Sequence, residues 1–117
     1  MTGQLSYCAG VAAEQQVSTR YRDRGAEIVA MRWRGRGGEL DIIVREGATT
    51  VFVEVKKSRS HTQAAHRLSQ RQIARLYDAA GEYLGGQPGG LNSTARFDVA
   101  LVDGMGRIEI IENALCA

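Results

Sequence analysis

Hydrophobic positions along the chain recur with two alternating periods, and the switches between them divide it into elements. Leu5, Cys8, Ala9, Ala12, Ala13, Val17 and Tyr21 follow helical spacing, with Ser6 near the start, and predict a helix that ends before Gly25. Ile28 to Trp33 reads as a strand in which Arg32 and Arg34 alternate with Trp33. Gly35, Gly37 and Gly38 break the chain before Glu39 to Arg45, where Leu40, Ile42 and Val44 alternate with Glu39, Asp41 and Ile43. In Val51 to Lys57 the period is two: Val51, Val53 and Val55 on one face, Phe52, Glu54 and Lys56 on the other. Between these strands, Glu46-Gly47-Ala48-Thr49 is short enough for a hairpin with Gly first, as a type II′ turn prefers.

The second half repeats the alternation of types. Ser58 to Arg67 is polar, holds both histidines and reads as a loop. Ser69 and Gln72 then form an S-x-x-Q capping box, with Leu68 and Ile73 in staple positions. Ile73, Leu76, Tyr77, Ala80, Tyr83 and Leu84 continue the helix to Gly85-Gly86, and Gly85 to Gly90 with Pro88 makes a flexible connection. Arg96 to Val102 and Arg107 to Ile111 predict two last strands, joined at the hairpin dipeptide Asp103-Gly104.

Composition narrows the class. At 117 residues, 44% hydrophobic and 24% charged, the chain supports one core and is expected to be a single domain. Its longest aliphatic runs, Ile42 to Val44 and Val99 to Val102, are far too short to cross a bilayer, and no secretory signal is evident, so no membrane partner and a cytoplasmic address are expected. Cys8 and Cys116 are too few for a disulfide framework or zinc ribbon and read as reduced thiols. A net charge of +2 is only mildly basic. The distribution is more telling: thirteen arginines stand against two lysines, six of them between Arg20 and Arg36, with Arg59, Arg67, Arg71 and Arg75 as a second group. Guanidinium forks suit phosphate oxygens, although ordinary solvated surface positions would use the same residues.

The hairpin register sharpens the chemistry. A turn on Gly47-Ala48 sets Asp41 opposite Glu54 and Glu39 opposite Lys56, all on one face, with opposed Cβ atoms roughly 4.5–5.5 Å apart. Two opposed carboxylates must shift a pKa or recruit a cation, and hard oxygen donors on a shallow site suit Mg²⁺, which takes one or two carboxylates plus substrate phosphate. Lys56, a strand step from Glu54, is placed to orient a water or stabilise charge on a phosphate. The competing arrangement is a salt-bridge ladder of Glu39, Lys56, Asp41 and an arginine on an exposed face. Phe52 and Ile43 on the same face imply that helices partly cover it and make unpaired charge costly.

Gly38-Glu39-Leu40-Asp41-Ile42-Ile43, then Val51-Phe52-Val53-Glu54-Val55-Lys56, then Arg96-Phe97-Asp98-Val99, resembles the YraN-like bacterial family, a branch of the PD-(D/E)XK nuclease superfamily, over nearly the whole chain. The resemblance implies an α/β, restriction endonuclease-like αβββαβ core with a mixed central β-sheet flanked by helices, one nuclease-like domain over residues 1–117. In it Asp41 and Glu54 bind Mg²⁺ (or Mn²⁺), Lys56 assists the attacking water, and Glu14 on the first helix joins the metal set. Glu39 and Gln72 are expected to support the site, and Arg32, Arg34, Arg36, Lys57, Arg59, Arg71 and Arg75 to hold nucleic acid.

The chain departs from the pattern at three places. Ala13 stands where a Gly is expected, Gln72 beside Arg71 where a lysine is expected, and Arg59 comes one position late. These leave the metal site intact and put the substrate contacts in question. His61 and His66 read as solvent-exposed imidazoles rather than zinc ligands or an acid to the leaving group. Asp98 recurs in the family pattern and is equally placed to be a structural acceptor near the arginines. The expected activity is metal-dependent hydrolysis of phosphodiesters in nucleic acid, DNA ahead of RNA, extending to structured or branched substrates and, by analogy with junction-cleaving relatives, to a homodimer. The alternative is a nucleic-acid-binding protein with a vestigial site.

Overall fold

The computed structural model of the chain describes residues 3–57 and 68–115, with side chains from residue 10 onward. Helix α1 (Gly3–Asp23) places Ala13, Val17 and Tyr21, four residues apart, in one buried stripe. It closes where Gly25, at φ +89°, takes the left-handed conformation that other residues resist, and the Ala26 N–H returns to the Tyr21 carbonyl at 3.0 Å. Strands β1 (Glu27–Arg34), β2 (Glu39–Glu46) and β3 (Thr49–Lys57) follow, then helix α2 (Gln70–Gly85), a single 3-10 turn (Gly90–Asn92), and strands β4 (Ala95–Val102) and β5 (Ile108–Ile111).

The strands form one mixed sheet in the order β1-β2-β3-β4-β5. Only β3 and β4 run parallel, so α2 is the crossover that a parallel pair requires. Side-chain alternation divides the core in two. Ile42, Val44, Val51 and Val53 pack with Val17 and Tyr21 of α1 on one face, while Ile43 and Phe52 pack with Leu76, Ala80 and Tyr83 of α2 on the other. This is an α/β architecture consistent with a restriction endonuclease-like αβββαβ core, with β5 added at the edge. Among the described residues no helix is long and apolar enough to cross a membrane.

The β2–β3 hairpin turns as the pattern predicts. Glu46 pairs with Thr49, and of the two central residues only Gly47 has positive φ (+59°), as a type II′ turn requires. The last hairpin differs from expectation. The left-handed residue is Gly106 (φ +80°) rather than Gly104, and the Asp103 carboxylate accepts from the backbone N–H groups of Met105 (2.9 Å) and Arg107 (2.8 Å). An aspartate that captures nearby N–H groups builds a wider turn than a two-residue one, and it delays β5 to Ile108.

At the hairpin end of the sheet Asp98, with no solvent exposure, accepts from Tyr21 Oη (2.7 Å), Arg96 Nε (3.0 Å) and the Asn113 N–H (3.0 Å). Glu46 extends the network, pairing with Arg96 Nη2 at 2.5 Å and Arg24 Nε at 2.7 Å. Buried charge is tolerable here because it is paired and hydrogen-bonded on several sides. Asp98 therefore acts as a structural acceptor. The same network holds the Tyr21 hydroxyl well above its usual range, through burial first and the neighbouring Asp98 carboxylate second.

Candidate functional site

The candidate site lies at the opposite end of β2 and β3, where the ladder opens. Backbone pairing keeps the predicted register from Glu46–Thr49 to Ile42–Val53 and then stops, so Asp41 and Glu54 are not a ladder pair. Leu40 packs with the α2 cluster although Ile42 faces α1, so the alternation breaks between them while β2 stays paired with β1. Asp41 bridges the gap with its side chain: Oδ2 accepts from the Val55 N–H of β3 at 2.9 Å.

The two carboxyl groups still lie near enough to interact, Asp41 acting on the Glu54 carboxyl. The Glu54 side chain is 13% exposed, with Lys56 Nζ 3.5 Å from its Oε2. Burial pushes the Glu54 carboxyl up to about 9, the Asp41 carboxyl adds to the shift, and Lys56 opposes it. The expected pairing of Glu39 with Lys56 does not form, because the ladder ends before it; Glu39 instead pairs with Arg34 Nη2 at 3.1 Å.

Glu14 reaches the same region from α1. It is 6% exposed and held by a fork from Arg32, with Nε at 2.8 Å and Nη2 at 3.3 Å. Burial and the charges of Asp41 and Glu39 raise its carboxyl, and Arg32 opposes them. Arg32 sits at φ +52°, a conformation unusual for a strand residue, so two residues expected to serve metal and nucleic acid separately are joined to each other. Among the described residues no three His, Cys, Asp or Glu side chains converge on one metal position. The carboxylates that could hold a metal are Asp41 and Glu54, with Glu14 nearby. Paired carboxylates are hard oxygen donors of the kind that Mg²⁺ or Mn²⁺ could take.

Over Glu54 opens a pocket of about 230 Å³, lined also by Gly38, Glu39, Gln72, Arg75 and Leu76. Gln72 is fixed by its capping box, its Oε1 accepting from the Ser69 N–H at 3.0 Å while Ser69 Oγ accepts from the Gln72 N–H at 3.1 Å. The box leaves the Gln72 amide nitrogen available as a donor. Arg75 lines the pocket, and Arg71 lies one helical turn before it, also exposed. Arg34 is 80% exposed at the end of β1, Arg36 is exposed on the next loop, and Lys57 is exposed at the end of β3. The expectations for Arg59, His61 and His66 fall outside the described residues.

The pattern of apolar residues leaves one wall of the pocket undetected. The Gly35-Arg36-Gly37-Gly38 loop docks on α2: the Arg36 N–H donates to Glu82 Oε1 at 2.8 Å, and a Cβ on Gly37 would lie 3.2 Å from that of Asp78. A Cβ on Gly35 would fall 2.6 Å from Glu82 Oε1, so the glycines permit an approach that side chains would block. Trp33 anchors the same loop edge-on against Tyr83, ring centres 5.5 Å apart. Three glycines in four residues were the available signal, with nothing in them to say which helix they meet.

Residues 13–102 match the model of the uncharacterised protein family UPF0102, a span that takes in Glu14, Asp41, Glu54, Lys56 and Asp98. The chain is 56% identical to a UPF0102 protein of Cereibacter sphaeroides (strain ATCC 17029) over 117 residues, all of both chains. It is 53% identical to one of Ruegeria pomeroyi over 96% of this chain and 91% of the relative. A third, of Dinoroseobacter shibae, is 46% identical over 95% of this chain and 83% of the relative. The names of these relatives state no activity.

Proposed function

Since the chain belongs to the uncharacterised protein family UPF0102, a membership that assigns no chemistry, we propose from the site geometry that it is a metal-dependent phosphodiesterase of the PD-(D/E)XK type acting on nucleic acid. The observation that carries this reading is the half-buried Asp41–Glu54 carboxyl pair where β2 and β3 part, with Asp41 Oδ2 tied to the Val55 N–H at 2.9 Å and Lys56 Nζ 3.5 Å from Glu54 Oε2. Asp41 and Glu54 would hold a divalent cation, Mg²⁺ or Mn²⁺, which would supply charge neutralisation for a phosphate ester and acidify a water.

The chain's own residues do the rest. Lys56, only 15% exposed, is fixed by its strand and its ion pair, so its ammonium can donate to the attacking water or to a phosphate oxygen. Gln72 offers its amide N–H group to the same pocket, and Arg75 and Arg71 stand at its rim to hold the flanking backbone. Arg34 and Arg36 extend the cationic border along the glycine loop. DNA is the first substrate to test.

The test is cleavage of labelled duplex, single-stranded, flayed and four-way DNA and structured RNA with Mg²⁺, Mn²⁺ or chelator. Metal-dependent cutting should be lost in the Asp41→Asn, Glu54→Gln double mutant and fall on the order of 10²-fold in Lys56→Ala with binding retained. Salt-dependent binding with no cutting under any metal would instead support a binding protein with a vestigial site.

A further inference from the structure

A second polar pocket, of about 240 Å³, opens at the far end of α2, lined by Arg45, Thr50, Gln87, Ser93 and Thr94 together with small residues of the β2–β3 turn and the glycine-rich connection. Arg45 and Asp41 lie four residues apart on β2, roughly 13 Å along the strand, with α2 running between the two pockets. The second pocket is therefore separate from the carboxylate site.

Its chemistry is that of an anion receptor. Among the described residues Arg45 has no hydrogen-bond or ion-pair partner; Glu27, opposite it across the β1–β2 ladder, does not pair with it. Thr50 pairs with Arg45 across the β2–β3 ladder and so presents its side chain beside it. The Thr50 and Thr94 hydroxyls and the Gln87 amide make no hydrogen bond within the described protein, although Thr50 is 5% exposed. Ser93 is already committed, donating from Oγ to the Gly90 carbonyl at 2.7 Å. The wall is fixed by backbone: the Thr50 N–H donates to the Thr94 carbonyl at 2.9 Å, and Gly90 turns at φ +56°. One unpaired guanidinium, two unused hydroxyls and a free amide in a space below the roughly 300 Å³ of pockets for drug-sized ligands suit a small tetrahedral oxyanion.

We propose that this pocket is a phosphate-binding site, its anion held by Arg45 with the Thr50 and Thr94 hydroxyls and the Gln87 amide. The phosphate comes either from a nucleic-acid backbone, as an anchor remote from the carboxylate site, or from a free phosphate monoester. The inference does not require the nuclease reading, because it concerns metal-free binding.

The experiment is a titration of the ¹⁵N-labelled full chain with inorganic phosphate in the presence of chelator, followed by amide shifts. Saturable shifts at Arg45, Thr50, Gln87 and Thr94 are expected, weakened roughly tenfold or more in Arg45→Gln and less in Arg45→Lys. Thr94→Val, remote from the core, should weaken binding independently. Adenosine monophosphate binding tighter than inorganic phosphate assigns the site to a free ester, whereas a salt slope for oligonucleotide binding reduced by about one in Arg45→Gln assigns it to a backbone phosphate. Absence of saturable shifts at these amides, or equal shifts in folded Arg45→Gln, overturns the proposal.

Discussion

Glu54 keeps its proton at neutral pH because burial and the adjoining Asp41 carboxyl both oppose its ionisation. The folded carboxyl titrates near 9 against 4.5 for the free group, so unfolding at any pH between these values releases a proton. The stabilising contribution is complete below about 4.5 and is lost as pH rises toward about 9. Melting of the metal-free protein should therefore fall between pH 5 and pH 8. Glu54→Gln, which mimics the protonated form, should lack that decline and melt higher at pH 8 by on the order of 5 °C; a variant that declines in parallel with wild type would contradict the assignment. Glu54 and Lys56 on one face of β3 were legible in the sequence from the period of two, whereas Asp41 comes beside them through its own side chain after the predicted ladder stops at Ile42–Val53. The Glu14–Arg32 pair was not, since it depends on a left-handed residue inside a strand, where apolar periodicity carries no signal.

Elements set how the site is bordered. Helix α2 carries Gln72, Arg75, Asp78 and Glu82 along the side that meets the pocket and the glycine loop. Its start was readable from Ser69 and Gln72 because a capping box is local, and the structure forms it. The docking of Gly35 to Gly38 is long-range and escaped detection. Gly35→Ala should push Glu82 off the Arg36 N–H and cost about 1 kcal/mol, seen as a lowered denaturation midpoint. Arg75→Ala should leave the melting curve unchanged and weaken nucleic-acid binding uniformly across sequences, with a salt slope smaller by about one. A loss confined to one sequence would instead make Arg75 a reader of bases.

Across the whole molecule the sheet separates stability from chemistry. The Tyr21–Asp98–Arg96–Glu46 network closes one end of the strands, and the Asp41–Glu54 pair opens the other. Asp98→Ala leaves the Tyr21 hydroxyl and the Asn113 N–H without their acceptor, strips Arg96 of one of its carboxylate partners, and should cost about 3–5 kcal/mol by chemical denaturation. Below its melting temperature that variant should hold divalent cations as well as wild type does, since no member of the network touches the carboxylate pair. The central claim is that this pair is built to exchange its proton for a divalent cation. The most direct measurement is calorimetric titration of the chain with Mn²⁺ at pH 7.5 in two buffers of different ionisation enthalpy. Saturable binding with release of about one proton is expected in wild type, and neither in the Asp41→Asn, Glu54→Gln double mutant. Binding that persists in the folded double mutant, or that releases no proton, would contradict it.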